Sequence, residues 1–172
     1  MKNTKVKKGN IKVPYFLIET DLENIDCNFF IEKIEQGILE KENKSFVTNV
    51  KGQMTSWTYF NNNLKFMELC LPILDYLEDD FNLEGCSLKE SWGMKSTFGH
   101  YTCLHNHANC YFSGVIYLNN HDSTIDFPDL KKQISIKKNK LVLFSGNLKH
   151  KTKRHLSKKP KYAISFNFYK NK

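Results

Sequence analysis

The chain has 172 residues, enough for one domain with a sizeable core, and its 26 Lys+Arg against 18 Asp+Glu give a formal charge of +8. A hydrophobic share of 40% with 13% aromatics excludes a disordered chain, and 8 Gly with 4 Pro exclude a collagen-like or low-complexity one. No apolar run approaches the roughly 18–20 residues of a membrane span, so no membrane partner is expected.

Residues 1–12 read as a basic flexible tail without the apolar stretch of a secretory signal. Val13 to Ile18 is a short apolar run with Pro14 near its start, which suits an edge strand. Asp26 is placed to cap a helix through Phe29, Phe30, Ile34 and Ile38, with Gly37 weakening its end. Glu40 to Gln53 is polar and reads as loop. A second helix starts at Asn63, its apolar face drawn through Leu64, Met67, Leu71, Leu74 and Tyr76 or Leu77, with a kink expected at Pro72.

From about Leu83 the pattern changes to short apolar or alternating runs: Leu88–Met94, Tyr111–Leu118, Ser123–Phe127, Gln133–Ile136, Leu141–Phe144 and Tyr162–Phe168. Turn residues at 119–122 and 137–140 separate them. The expectation is a mainly β protein with N-terminal helices, a sandwich or barrel with the helices outside. Residues 13–172 read as one domain, with a helical buttress over about 26–81 and a β core over about 83–169. The five cysteines form no CxxC pair and read as reduced thiols in a cytoplasmic protein. Arg154 is the single arginine, so 25 of the 26 basic residues are lysines. Arginine is the residue of forked base and phosphate recognition, so its scarcity leaves nucleic acid as a partner without support.

All six histidines lie in the β-rich half, at 100, 105, 107, 121, 150 and 155. His105 and His107 are two apart, which in a strand places both imidazoles on one face. His150 follows an apolar run and is positioned to supply a third ligand from a neighbouring strand. Three protein ligands leave positions open for substrate or oxygen, as a catalytic metal requires. If the strand continues past His107, then Asn109, Tyr111, Ser113, Val115 and Tyr117 share its face. In the last strand Lys161, Ser165 and Asn167 oppose Tyr162, Ile164, Phe166 and Phe168. Such polar rows line a cavity mouth if they converge, and face solvent if they do not. His100, His121 and His155 fall in expected loops and read as solvent-exposed.

Several blocks occur in order: Glu90-Ser-Trp92, Leu104-His-Asn-His-Ala-Asn109, Phe112-Ser-Gly-Val-Ile-Tyr117, Leu141-Val-Leu-Phe144 before His150, and Ala163-Ile-Ser-Phe-Asn167, with Lys51 to Ser56 upstream. In these the chain resembles the small 2-oxoglutarate- and iron(II)-dependent oxygenases of bacteria and phages, over roughly residues 50–168. The resemblance implies a double-stranded β-helix (a cupin-like jelly roll), with Fe(II) and 2-oxoglutarate as cofactors and O2 as cosubstrate. It implies His105 and His150 as metal ligands. The family's usual carboxylate position holds His107, which is either a third ligand or a neighbour of the site. Asp126 and Asp129 are then alternative donors, and His155 is the alternative to His150. The resemblance places Lys161 where the family holds the far carboxylate of 2-oxoglutarate with arginine, and Ala163 where it carries serine. Tyr117, Ser113 and Ser165 fall on the cosubstrate side, Asn109 and Asn167 on the substrate side. Two other functions remain open: a three-His metal dioxygenase of cupin type that does not use 2-oxoglutarate, and a non-catalytic jelly-roll binding module with a basic surface. The substrate itself is not readable. The Lys-rich segment 149–161 beside the expected mouth points to an anionic or macromolecular one.

Overall fold

The computed structural model describes residues 15–40, 48–81, 85–107 and 109–171. The basic tail and much of the polar stretch after the first helix lie outside the described residues. Eleven strands and two helices are described, in the order β1 (Leu17–Asp21), α1 (Cys27–Glu40), β2 (Val50–Lys51), β3 (Gln53–Met54), α2 (Leu64–Phe81), β4 (Cys86–Ser96), β5 (Tyr101–Thr102), β6 (Phe112–Tyr117), β7 (Thr124–Phe127), β8 (Lys132–Ser135), β9 (Lys140–Ser145), β10 (Lys151–Thr152) and β11 (Lys161–Lys170). A large sheet has the order β1-β9-β6-β11-β4-β3, beside a three-stranded sheet β10-β7-β8 and a pair β2-β5. The protein is thus mostly β, with both helices in its N-terminal half. No described helix is long and apolar enough to cross a membrane.

The central strands are buried on both faces, and their alternation separates two cores. Phe112, Ile116, Leu141, Leu143, Ile164, Phe166 and Phe168 pack against Phe30 and Ile34 of α1 and Phe66, Cys70, Ile73 and Leu77 of α2. The intervening residues Val115, Tyr117, Val142, Phe144 and Ala163 face Ile125, Phe127 and Ile134 of the smaller sheet. The functional side chains sit at the end of this second layer.

The N-terminal expectations hold with shifts. The edge strand lies slightly later, at Leu17–Asp21, and pairs only with β9. Asp26 caps α1, its Oδ1 accepting the Phe29 N–H at 3.1 Å. Gly37 lies inside α1, which continues to Glu40. A Cβ there would fall 2.6 Å from the Tyr59 ring, so the glycine admits a close approach. The stretch read as loop contains β2 and β3, each two residues long. Asn63 caps α2 through its Oδ1 and the Phe66 N–H at 3.1 Å, and the helix runs through Pro72 to Phe81. The face of α2 is a correction. Leu64, Met67, Leu71 and Tyr76 are exposed, while Phe66, Cys70, Ile73 and Leu77 are buried. All five cysteines are free thiols.

Candidate metal centre and its two cavities

His105 and His150 are joined by reciprocal main-chain hydrogen bonds, His105 N–H to His150 O at 3.1 Å and His150 N–H to His105 O at 2.8 Å, an isolated antiparallel bridge. The His107 N–H donates to Gly146 O at 2.7 Å, and the Gly146 N–H donates to Tyr111 O at 3.1 Å. A Cβ on Gly146 would stand 2.3 Å from Cys110 O and 2.6 Å from His107 O. Glycine there lets the His107 segment lie against the end of β9. The expected strand through both histidines is therefore corrected: β5 ends at Thr102, β6 begins at Phe112, and His105 and His107 lie in the irregular chain between. Non-local main-chain bonds, rather than strand alternation, bring the two imidazoles together.

The three imidazoles converge. One ligand atom from each of His105, His107 and His150 lies within 4.8 Å of the others. Ring centroids are 4.9 Å apart for His105 and His107, 4.2 Å for His105 and His150, and 5.2 Å for His107 and His150. The Nδ1 of His105 is 2.9 Å from Cys103 O, and the Nδ1 of His150 is 3.1 Å from Leu148 O. A carbonyl only accepts, so each Nδ1 carries the proton and each Nε2 keeps its lone pair. Burial holds the His105 imidazole below its usual range. Burial, with His105 beside it, lowers His107 to about 4. Burial, with both other histidines, lowers His150 to about 3. Three neutral imidazoles, two of them with the lone pair oriented, are a donor set suited to a divalent transition metal.

The alternative ligands lie elsewhere. Asp126 accepts a 2.5 Å hydrogen bond from Thr124 Oγ1 and lines a separate cavity with Lys131, Lys132 and Lys151. Its neighbour Ile125 points into the histidine cavity, so alternation turns Asp126 away. Asp129 is exposed in a 3-10 turn. His155 is buried rather than exposed. It lies beside His121, the rings tilted and their centroids 4.3 Å apart, with its Nε2 2.8 Å from Lys159 O. His100 and His121 are half-buried. Arg154 lies over the Tyr101 ring at 4.7 Å, away from the triad.

Two cavities meet at the triad. The inner one is lined by all three histidines together with Lys161, Tyr117, Ser113 and Ser165, the expected cosubstrate side. Lys161 is 7% exposed. Burial pulls its ammonium down to about 8, and no ion pair or hydrogen bond among the described residues engages its Nζ. Burial pushes the Tyr117 phenol up. Ser165 Oγ lies 3.8 Å from Met94 Sδ, and Ser113 Oγ donates to Asn167 Oδ1 at 2.8 Å. The outer space is an open groove of about 960 Å³ that carries His105 and His107 but not His150. Asn109 and Asn167 line this groove and not the inner cavity, so the shared face expected for Asn109 with Ser113 and Tyr117 is corrected. Asn109 is exposed in a turn. Sequence reasoning missed Glu90, Trp57 and Trp92 as lining residues. Glu90 and Trp92 share strand parity on β4, the one signal available. Trp92 lines both spaces, its ring centroid 6.4 Å from that of His107, and its buried Nε1 has no hydrogen-bond partner among the described residues.

No protein-family model matches the sequence, and no curated protein does. Solved structures do match. A viral collagen prolyl hydroxylase from Paramecium bursaria Chlorella virus-1, solved with 2-oxoglutarate, superposes with a TM-score of 0.71 at 16% identity, over 91% of this chain and 96% of that one. A Pseudomonas putida prolyl-4-hydroxylase gives 0.68 at 13% identity, over 91% and 93%. HygX from Streptomyces hygroscopicus, with nickel and 2-oxoglutarate bound, gives 0.67 at 13% identity, over 91% and 83%. At these identities the likeness is one of fold, shared with these two prolyl hydroxylases and with HygX.

Proposed function

We propose that the protein is a non-haem Fe(II), 2-oxoglutarate-dependent dioxygenase that hydroxylates its substrate. In this reading about residues 13–172 form one jelly-roll domain, and His105, His107 and His150 hold the iron. The observation that carries the reading is the inner cavity, where three neutral imidazoles and a buried, unpartnered lysine share one enclosure. The donor set fits a divalent transition metal, and the fold neighbours with bound 2-oxoglutarate support the cosubstrate. Iron held by His105, His107 and His150 would supply the O2 chemistry that couples oxidation of 2-oxoglutarate, to succinate and carbon dioxide, with hydroxylation of the substrate.

The chain's own part is positioning. Lys161 pairs with the far carboxylate of 2-oxoglutarate, a charge-assisted contact in a water-poor enclosure. Tyr117 and Ser165 flank it, whereas the Ser113 hydroxyl is committed to Asn167. The carbonyls of Cys103 and Leu148 hold two of the imidazoles in one tautomer. Val142, Phe144 and Ile125 exclude water from the layer behind them.

Anaerobic titration of the Fe(II)-loaded protein with 2-oxoglutarate tests the proposal. A visible charge-transfer absorption, followed in air by succinate formation, is expected. Metal binding without either signal would overturn 2-oxoglutarate use and favour a three-His dioxygenase of cupin type. His107 in the carboxylate position and Ala163 in the cavity wall are the observations favouring that second reading.

A further inference from the structure

The substrate's chemistry is written in the outer groove. Glu90 stands directly across from Asn167 in the β4–β11 pairing, where the register slips so that Lys89 has no opposite residue. A bulge of this kind re-aims a side chain next to a site. The aim here is fixed by a chain of hydrogen bonds that runs from the buried Ser113 to the half-buried Glu90. Ser113 Oγ donates to Asn167 Oδ1 at 2.8 Å, which turns the amide so that Nδ2 donates to Glu90 Oε2 at 2.6 Å. Tyr169 Oη donates to the same Oε2 at 3.0 Å. Two donors saturate one carboxylate oxygen, and no described residue engages the other. The rings of Trp57, Trp92 and Tyr169 line the same groove, the two indoles edge to face at 4.7 Å. Glu90 is the one acid among the groove's described lining residues. Its lysines, Lys51 and Lys89, are both exposed, where solvent screens them.

We infer that the groove beside His107 binds a cationic group of the substrate, an amine or guanidinium, with Glu90 as counter-ion and the aromatic rings as its walls. A carboxylate with one free oxygen, set among π faces, selects a cation through charge-assisted hydrogen bonding and cation–π attraction. The net charge of +8 works in the opposite direction. Unspecific attraction would favour anions, so selection of a cation has to be local. A cationic group departs from the anionic or macromolecular substrate expected from the Lys-rich segment 149–161. That the bound group belongs to the substrate rests on the dioxygenase reading; the binding does not.

Both tryptophans of the chain line the groove, so intrinsic fluorescence reports on it directly. The full chain in ~0.1 M salt is titrated with n-butylguanidinium, n-pentylamine, pentan-1-ol and pentanoate. A saturable change is expected with the two cations, about tenfold or more tighter than with pentan-1-ol. Glu90→Gln, checked for folding by circular dichroism, is expected to remove that advantage and leave pentan-1-ol binding unchanged. Equal binding of the neutral or anionic probes by the unmodified chain, no saturable response to either cation, or an unaffected Glu90→Gln variant would each overturn the inference. Cation binding in a protein that fails the 2-oxoglutarate titration would overturn the substrate role alone.

Discussion

Lys161 is the residue whose behaviour is most sharply determined. A lysine this deeply buried, without a partner, destabilises the free protein because its charge has lost water and gained nothing. Replacing it with an apolar residue of similar reach removes that cost. Lys161→Met should therefore raise the stability of the free protein by about 1–3 kcal/mol, read as a higher denaturation midpoint. The same variant should weaken 2-oxoglutarate by tenfold or more. The pH dependence follows from the ammonium's fall from the ordinary lysine value of 10.5 to about 8. Between those values the unfolded chain keeps a proton that the folded chain has released, so this group makes stability rise with pH across the window. In its proposed role Lys161 binds the cosubstrate as the ammonium, so affinity for 2-oxoglutarate should fall as pH passes about 8, by up to about tenfold per unit. Calorimetric titrations at pH 7 and pH 9 measure the difference, and Lys161→Met should show none.

Among the elements, α2 offers the clearest test. Its buried side is Phe66, Cys70, Ile73 and Leu77, with Phe66 edge-on to Phe166 of β11, centroids 5.8 Å apart. Phe66→Ala should cost about 3–5 kcal/mol, and Met67→Ala no more than about 0.5 kcal/mol, both read by denaturant unfolding. The helix itself was legible in the sequence, but its orientation was not. Apolar residues occupy both sides, and only contact with the sheet decides which side is covered. The six longer strands after residue 85 were legible because β6, β9 and β11 are covered on both faces and end in turn residues. The two-residue strands carry no periodicity and were invisible. The triad was legible as residue types at a suggestive spacing. Its geometry was not, because the bonds from His107 to Gly146 and from His105 to His150 join segments far apart in the chain. Glu90 stands in one of the blocks noted in the sequence, but its place in the groove was not legible for the same reason, since it depends on Ser113 and Asn167 from two other strands.

At the scale of the whole molecule, the triad ties ligand binding to folding. A metal that binds the folded chain alone stabilises it by about 2.7 kcal/mol at a hundredfold excess over its dissociation constant. Adding Ni(II) to the metal-free protein should raise its melting temperature. The double variant His105→Ala, His150→Ala should melt at the same temperature with or without Ni(II). An equal Ni(II) response in that variant would place the metal elsewhere.

The bridge between His105 and His150 gives the centre a mechanical role as well. It is one rung of hydrogen bonding, isolated from the regular sheets, that joins chain positions 45 residues apart. A rung so short frays readily on its own. A metal gripping both imidazoles would act as a removable staple across it, adding its binding free energy to the folded chain alone and holding the rung closed. β6, β7, β8 and β9 all lie inside that loop, including two strands of the large sheet and two of the small one. The metal-free chain should then open first around this rung, exposing the segment between residues 105 and 150 to proteolysis that added metal suppresses.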